Sequence, residues 1–186
     1  VNSDLAQTAL FAKDGVTSNS DSKIKALVGQ TKSDGIELDL SGHPLKGLTI
    51  LAGYSHNFMR YTKTPNTKGS YITGDRLVNT PTHTANASVF YEFSGKRLKG
   101  FQIGAAVNYV GERLAGWNRT IGDSKESFSV SDFTTVDLSA GYSYKKFSLL
   151  GKVSNVGNTL NYYVHENYSV NPIAPRQFLT TISYKL

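Results

Sequence analysis

Apolar and polar residues alternate along most of this chain with a period of two. The pattern is cleanest between Phe101 and Glu112, where Phe101, Ile103, Ala105, Val107 and Tyr109 share one face and Gln102, Gly104, Ala106 and Asn108 the other. Successive side chains of a strand point to opposite faces, so this spacing predicts a strand with one apolar side. Asp132–Tyr144 repeats it, with Thr134, Val136, Leu138, Ala140, Tyr142 and Tyr144 against Thr135, Asp137, Ser139, Gly141 and Ser143. In Thr82–Phe93 the apolar face is Ala85, Ala87, Val89, Tyr91 and Phe93, against Thr84, Asn86, Ser88 and Glu92. Leu48, Ile50, Ala52, Tyr54 and Phe58 form another such row, and Ile36, Leu38 and Leu40 oppose Glu37 and Asp39. Phe147, Leu149 and Val153 lie together on a seventh strand, whose polarity Leu150 breaks; Phe178, Thr180, Ile182, Tyr184 and Leu186 run in one register at the end. A first strand is placed within Leu5–Lys13.

The gaps between these eight predicted strands alternate in length. Ser41–Gly47, Ser94–Gly100 and Lys145–Lys146 are short, whereas Asp14–Ser22, Thr62–Pro81, Ala115–Ser131 and Val156–Pro175 are long. An up-and-down barrel in an outer membrane has this asymmetry, with tight periplasmic turns and long outer loops. The strands run about 9 to 14 residues, against about five or six in soluble proteins and about 9–11 for a tilted membrane strand. Their second face is small and polar (Gly, Ser, Thr, Asn, with acids), as a wet or plugged lumen requires. Aromatics gather near strand ends, as in Tyr91 with Phe93 and Tyr142 with Tyr144, where an interfacial girdle would hold them. The expected fold is all-β: an antiparallel up-and-down transmembrane β-barrel segment. Phe101, Ile103, Val107, Tyr109, Val136, Leu138 and Tyr142 are expected to face lipid. A soluble β-sandwich, binding sugar or lipid, is the alternative in which the same alternation faces a second sheet.

Composition narrows the choice. With 186 residues the chain can form one domain, and with no cysteine it can hold neither a disulfide framework nor a Cys-based metal or redox site. Charged residues make up 18%, below the roughly one quarter usual in soluble domains. A mean hydropathy of −0.31 is too polar for a helical membrane protein, but a membrane barrel turns only alternate residues to lipid. The net charge of +6 raises a nucleic-acid partner. The cations are dispersed, however, and many sit in short turns, as in Lys96, Arg97, Lys99, Lys145 and Lys146. Turn solvation or anionic headgroups account for them, and no nucleic-acid partner is expected. The chain opens on Val1 and no signal peptide precedes it; a secreted barrel needs one, so the expectation is that a leader was removed or that this is the tail of something longer.

Candidate chemistry is sparse. His43, His56, His83 and His165 are scattered without zinc-ligand spacing, and no metal or cofactor is expected. Glu37 and Asp39 lie on one face of a strand, where paired carboxylates could do acid–base work; in a barrel wall they more often pair with cations in the lumen. No nucleophile elbow or phosphate loop is present, and no enzyme is expected. Two long loops are richer. Trp117 and Arg119 sit in one, and Tyr162, Tyr163, His165 and Tyr168 in another; aromatics with a few hydrogen-bonding groups suit a bulky polar ligand, or else pack against neighbouring loops.

Several blocks, in order, resemble TonB-dependent outer-membrane receptors. Ser33–Asp34–Gly35–Ile36–Glu37 followed by Pro44–Leu45–Lys46–Gly47–Leu48 is similar to that family's S-x-G-I/V-E and P-x-x-G-L blocks. Leu51–Ala52–Gly53–Tyr54–Ser55 resembles the strand that follows them. Asn79–Thr80–Pro81–Thr82–His83 resembles N-x-P-x-H, and Leu98–Lys99–Gly100–Phe101 with Tyr109–Val110–Gly111 resembles L-K-G and Y-V-G. Phe133–Thr134–Thr135–Val136–Asp137, Val153–Ser154–Asn155–Val156–Gly157–Asn158, Pro175–Arg176 and the closing Thr181–Leu186 complete the series. The resemblance spans roughly residues 30 to 186 and is nearest to ferrichrome-type siderophore receptors; the family usually ends in an aromatic, where this chain has Leu186. It implies a bacterial outer-membrane, multi-pass β-barrel that binds a ferric siderophore or similar chelate outside and is opened by the TonB complex through an N-terminal part. Residues 1–186 would be the C-terminal part of such a barrel, about its last eight strands of 22, without the plug domain. Phe178, Ile182, Tyr184 and Leu186 would then form the insertion signal. A self-contained eight-stranded barrel with an adhesion or structural role is the rival reading.

Overall fold

The structure, a computed structural model, describes residues 2–8, 25–64, 73–118, 126–165 and 169–186, with side chains described for 29–64, 73–116, 127–164 and 170–186. It contains the strands β1 (Asn2–Thr8), β2 (Lys25–Leu45), β3 (Leu48–Lys63), β4 (His83–Glu92), β5 (Phe101–Val110) and β6 (Arg113–Asn118). These are followed by β7 (Glu126–Val130), β8 (Phe133–Tyr144), β9 (Phe147–Ser154), β10 (Tyr162–His165), β11 (Ser169–Pro172) and β12 (Gln177–Tyr184). Eight strands make one antiparallel sheet in the order β1-β2-β3-β4-β5-β8-β9-β12, each beside the neighbour that precedes it in this meander. The short turns all fall at one end of the sheet and the long connections at the other. Two of the long connections contain hairpins of their own, β6–β7 and β10–β11.

The register turns the period-two pattern into two continuous faces. One row runs Ile50, Val89, Ala105, Leu138, Val153 and Phe178 across neighbouring strands; another runs Leu38, Tyr54, Ala85, Tyr109 and Thr134. On the opposite face the rows run Asp39, Gly53, Asn86, Asn108 and Thr135, and Thr49, Phe90, Gly104, Ser139, Lys152 and Leu179. Phe101, Ile103, Val107, Tyr109, Val136, Leu138 and Tyr142 share the apolar face, as do Phe178, Ile182 and Tyr184. No second layer covers that face among the described residues. Leu38, Leu138 and Ile182 stand 62%, 46% and 74% exposed, and the buried apolar side chains, Leu114, Ala115, Phe133, Val164 and Ile173, all lie at the long-loop end. A soluble sandwich, the alternative reading, buries its apolar rows against a second sheet; these rows have none among the described residues.

Aromatic rings gather at the short-turn end. Tyr91 meets Phe93 edge-on at 4.7 Å, Phe93 lies 5.5 Å from Phe101, and Phe147 lies 4.8 Å from Tyr184. The ammonium groups of Lys145 and Lys146 sit 5.2 and 5.8 Å from the ring centres of Tyr144 and Tyr184.

Two placements differ from expectation. The first strand is Asn2–Thr8 rather than within Leu5–Lys13; residues 9–24, with the gap Asp14–Ser22, lie outside the described residues. β2 runs through Ser41–Leu45, leaving only Lys46–Gly47 as the turn. A register shift between Gly42 and Leu45 absorbs Pro44, which has no N–H to give the ladder. Gly47 takes φ 82°, and a Cβ there would collide with the Glu92 carbonyl, so the tight turn needs glycine. The sheet stays open, in keeping with the expected barrel segment. β1 pairs with β2 only between Lys25 and Thr31, and neither the rest of that β2 edge nor the free edge of β12 has a strand partner among the described residues.

Candidate functional site

At the long-loop end the strands rise into a rim whose centre is one buried cation. Arg113 opens β6 directly after the β5 strand ends and is 1% exposed. Its guanidinium donates to the carbonyl of Gly111 (2.9 Å), to the carbonyls of Ser131 (3.2 Å) and Tyr162 (3.1 Å), and to Oδ1 of Asn161 (2.6 Å). It lies 5.1 Å from the ring centre of Phe133, while its Nε has no hydrogen-bond partner. Burial pulls its pKa below the ordinary arginine value, and the nearby Tyr163 and Asp132 oppose that shift.

Asn161 completes the knot. Its Nδ2 donates to the carbonyls of Ser131 and Asp132, and its Oδ1 accepts the Tyr162 N–H at 2.8 Å. Leu114, Phe133, Val164 and Ile173, on the same segments or next to them, are buried apolar side chains. The Asn79 N–H reaches the Leu114 carbonyl at 2.9 Å, which joins the loop before β4 to the same rim. A second asparagine, Asn155, receives the Thr159 N–H and donates to the carbonyls of Thr159 and Ala174, fixing how the chain leaves β9 and enters β12.

The expected loop residues sort as follows. Tyr162 and Tyr163 lie on β10 and are 38% and 47% exposed, with the Tyr163 ring edge-on to Phe133 at 6.5 Å. Trp117 is in β6 and His165 in β10 by backbone, but their side chains lie outside the described ones. Arg119 and Tyr168 fall wholly outside the described residues. The rim therefore brings Tyr162 and Tyr163 together with Arg113 and Asn161, neither of which the sequence reading singled out. The available signal for Arg113 was its place between Glu112 and the apolar pair Leu114 and Ala115, at the end of the β5 alternation.

The polar face forms a different surface. Near the short turns it is concave, with a recess of about 680 Å³ lined by His43, Thr49, Phe90, Glu92, Gln102 and Lys152, among others. Lys152 pairs with Asp137 at 2.8 Å. Phe90 turns onto this polar side and its ring lies beside Gly104, where a Cβ would come within 2.6 Å of both the Phe90 ring and the Ser139 hydroxyl. Leu150, the residue that broke the polarity of its strand, lines the same recess. Glu37 and Asp39 stand on this face of β2, and among the described residues no cluster of His, Asp and Glu fit to hold a metal is present.

A single-layer, long-stranded antiparallel sheet with one apolar face, one polar face and all its long loops at one end is the wall of a membrane β-barrel. Residues 4–156 match the family of TonB dependent receptor-like β-barrels, and the chain belongs to that family. Over 160 residues, 83% of this chain, it is 35% identical to the metal-pseudopaline receptor CntO of Pseudomonas aeruginosa, of which it covers 21%. It is 26% identical over 124 residues to the ferrioxamine B receptor of Salmonella typhimurium, covering 67% of this chain and 16% of that protein. Among solved structures, the pyoverdine outer-membrane receptor FpvA from Pseudomonas aeruginosa, bound to pyoverdine, superposes with a TM-score of 0.75 at 22% identity, over 99% of this chain and 26% of FpvA. The chain thus spans about a fifth of the length of the curated relatives it matches. The family places it in the bacterial outer membrane.

Proposed function

We propose that this chain is the C-terminal part of an outer-membrane receptor that imports a ferric siderophore or a similar metal chelate, energised through TonB in the whole protein. The observation that carries the reading is the open sheet. Backbone N–H and C=O groups cannot be left unpaired in lipid, yet among the described residues the lower edge of β2 and the free edge of β12 have no strand beside them. Further strands complete a larger barrel. The rival, a self-contained eight-stranded barrel, needs β1 beside β12 and gains no support from this topology.

In this reading the apolar face meets lipid, the aromatic and lysine belt at the short turns lies at the periplasmic headgroups, and the rim stands outside the cell. Eight residues separate Phe101 from Tyr109, about 26 Å along the strand and roughly 20 Å once tilted, close to the apolar band of such barrels. The polar face lines the lumen, and the part of the protein that engages TonB lies elsewhere in the receptor. Tyr162 and Tyr163, with Trp117, Arg119, His165 and Tyr168, supply aromatic and hydrogen-bonding surface toward the chelate. The wall performs no bond chemistry; its work is binding and passage. The relatives' names, receptors for a metal–pseudopaline complex and for ferrioxamine B, support the class of ligand. The test is binding by the intact receptor of a panel of ferric chelates, ferrioxamine B and ferrichrome among them, followed by quenching of intrinsic fluorescence. Saturable binding of at least one supports the reading, and none across the panel refutes it.

A further inference from the structure

Arg113 is an unusual group for the place it occupies. A guanidinium taken out of water is costly unless its donors are matched. Here four of its hydrogen bonds end on three separate segments: Gly111 before β6, Ser131 between β7 and β8, and Asn161 with Tyr162 at the start of β10. The contact with Asn161 spans 48 residues of sequence. The β6–β7 and β10–β11 hairpins belong to separate two-stranded sheets and share no strand pairing. Among the described residues, Arg113 and Asn161, which both donate to the Ser131 carbonyl, make a polar link between them. Phe133 and Tyr163 extend that link as a ring pair under the rim.

We propose that Arg113 is a positioning residue that locks the two outer hairpins into one body, so that their strands, with the exposed Tyr162 and Tyr163, present a single ligand-contacting wall. The inference rests on the rim being the ligand-facing surface of the receptor. The planar fork of arginine suits this role, because its donors diverge toward several acceptors at once, whereas a lysine offers one nitrogen. A wall held in its bound shape spares the ligand the cost of ordering two loops. Truncating the arginine leaves the carbonyls of Gly111, Ser131 and Tyr162 with a donor fewer in a closed site, and water entering to satisfy them would part the hairpins.

The experiment uses the intact receptor in lipid vesicles with spin labels on Ser127→Cys and Val170→Cys, one on each hairpin, and a control pair on Lys99→Cys and Lys146→Cys at the short turns. Pulsed electron-resonance distances are recorded for the parent, Arg113→Met, Arg113→Lys and Asn161→Ala, with ferrioxamine B and ferrichrome affinities measured alongside. The expected result is a narrow distribution between the hairpins in the parent. It broadens at least about twofold in Arg113→Met and Asn161→Ala, partly in Arg113→Lys, and the control pair does not change. The affinity for the chelate that binds should fall about tenfold or more with the broadening. An unchanged inter-hairpin distribution in Arg113→Met overturns the lock; if that variant fails to assemble, an unchanged distribution in Asn161→Ala does so. Broadening with unaltered affinity overturns the wall. A parent receptor that binds no chelate refutes the import reading instead, and the distance data judge the lock separately.

Discussion

Arginine placed along β5 should report the membrane directly. On the apolar face the strand runs from Phe101 to Tyr109, with Ala105 at the midpoint between Val89 and Leu138, and Val107 between Ala87 and Val136. Val107 lies two residues, about 7 Å along the strand, from the Tyr109 level. An arginine on the lipid face costs about 2–4 kcal/mol at the midplane and about 0–1 near the interface. Ala105→Arg should therefore cost about 2–4 kcal/mol, and Val107→Arg, about 5 Å inside the girdle after tilt, about 1–2. Asn108 is adjacent in sequence but points to the polar side beside Asn86 and Thr135, so Asn108→Arg should stay within about 0.5 kcal/mol of the parent. The assay is urea unfolding of the intact receptor in lipid vesicles, with folded fraction read from gel mobility without heating. A one-residue slip in register would exchange the two faces. Equal losses for Asn108→Arg and Ala105→Arg, or the reverse order, would refute the assignment of faces.

Three further outcomes are expected. An impermeant thiol reagent applied to intact cells should label Trp117→Cys and Tyr163→Cys but not Leu45→Cys or Arg97→Cys, and the opposite pattern would invert the topology. Deleting Ser183–Leu186 from the intact receptor removes the Tyr184 ring from its place 4.8 Å from Phe147 and the last rungs beside β9; pulse-chase fractionation should show the protein held in the periplasm and open to protease, whereas normal surface levels would refute the role of this strand in closure. Gly104→Val should slow assembly and lower the urea midpoint, because its side chain must displace the Phe90 ring and the Ser139 hydroxyl; pairing it with Phe90→Ala should recover part of the loss, and no recovery would mean Phe90 is not the obstacle.

Much of the wall was legible because strand geometry converts parity into face. Once Phe101, Ile103, Val107 and Tyr109 share a register, each neighbour's side is settled, and the predicted spans of β4, β5, β8 and β12 lie within a few residues of the observed ones. β2 was read too short because Gly42 and Pro44 are turn residues in most settings; here a bulge takes them into the ladder. Phe90 and Leu150 break the alternation for a reason invisible in sequence, since they fill the concave side near the short turns. The hairpins β6–β7 and β10–β11 were read as irregular loops. Their order depends on contacts such as Arg113 with Asn161, which no local pattern encodes. For the same reason Tyr162 and Tyr163 were legible as exposed aromatics, while the cation beneath them was not.

Import of a metal chelate by the receptor this wall belongs to can be followed in cells. Its most direct measurement is accumulation of radiolabelled iron, supplied as ferrioxamine B, ferrichrome and related chelates, by cells expressing the intact receptor as their sole siderophore receptor, with and without TonB. Uptake of at least one chelate should saturate and be lost without TonB, while surface binding stays intact. Uptake of none of them, or uptake that continues undiminished without TonB, would contradict the import reading.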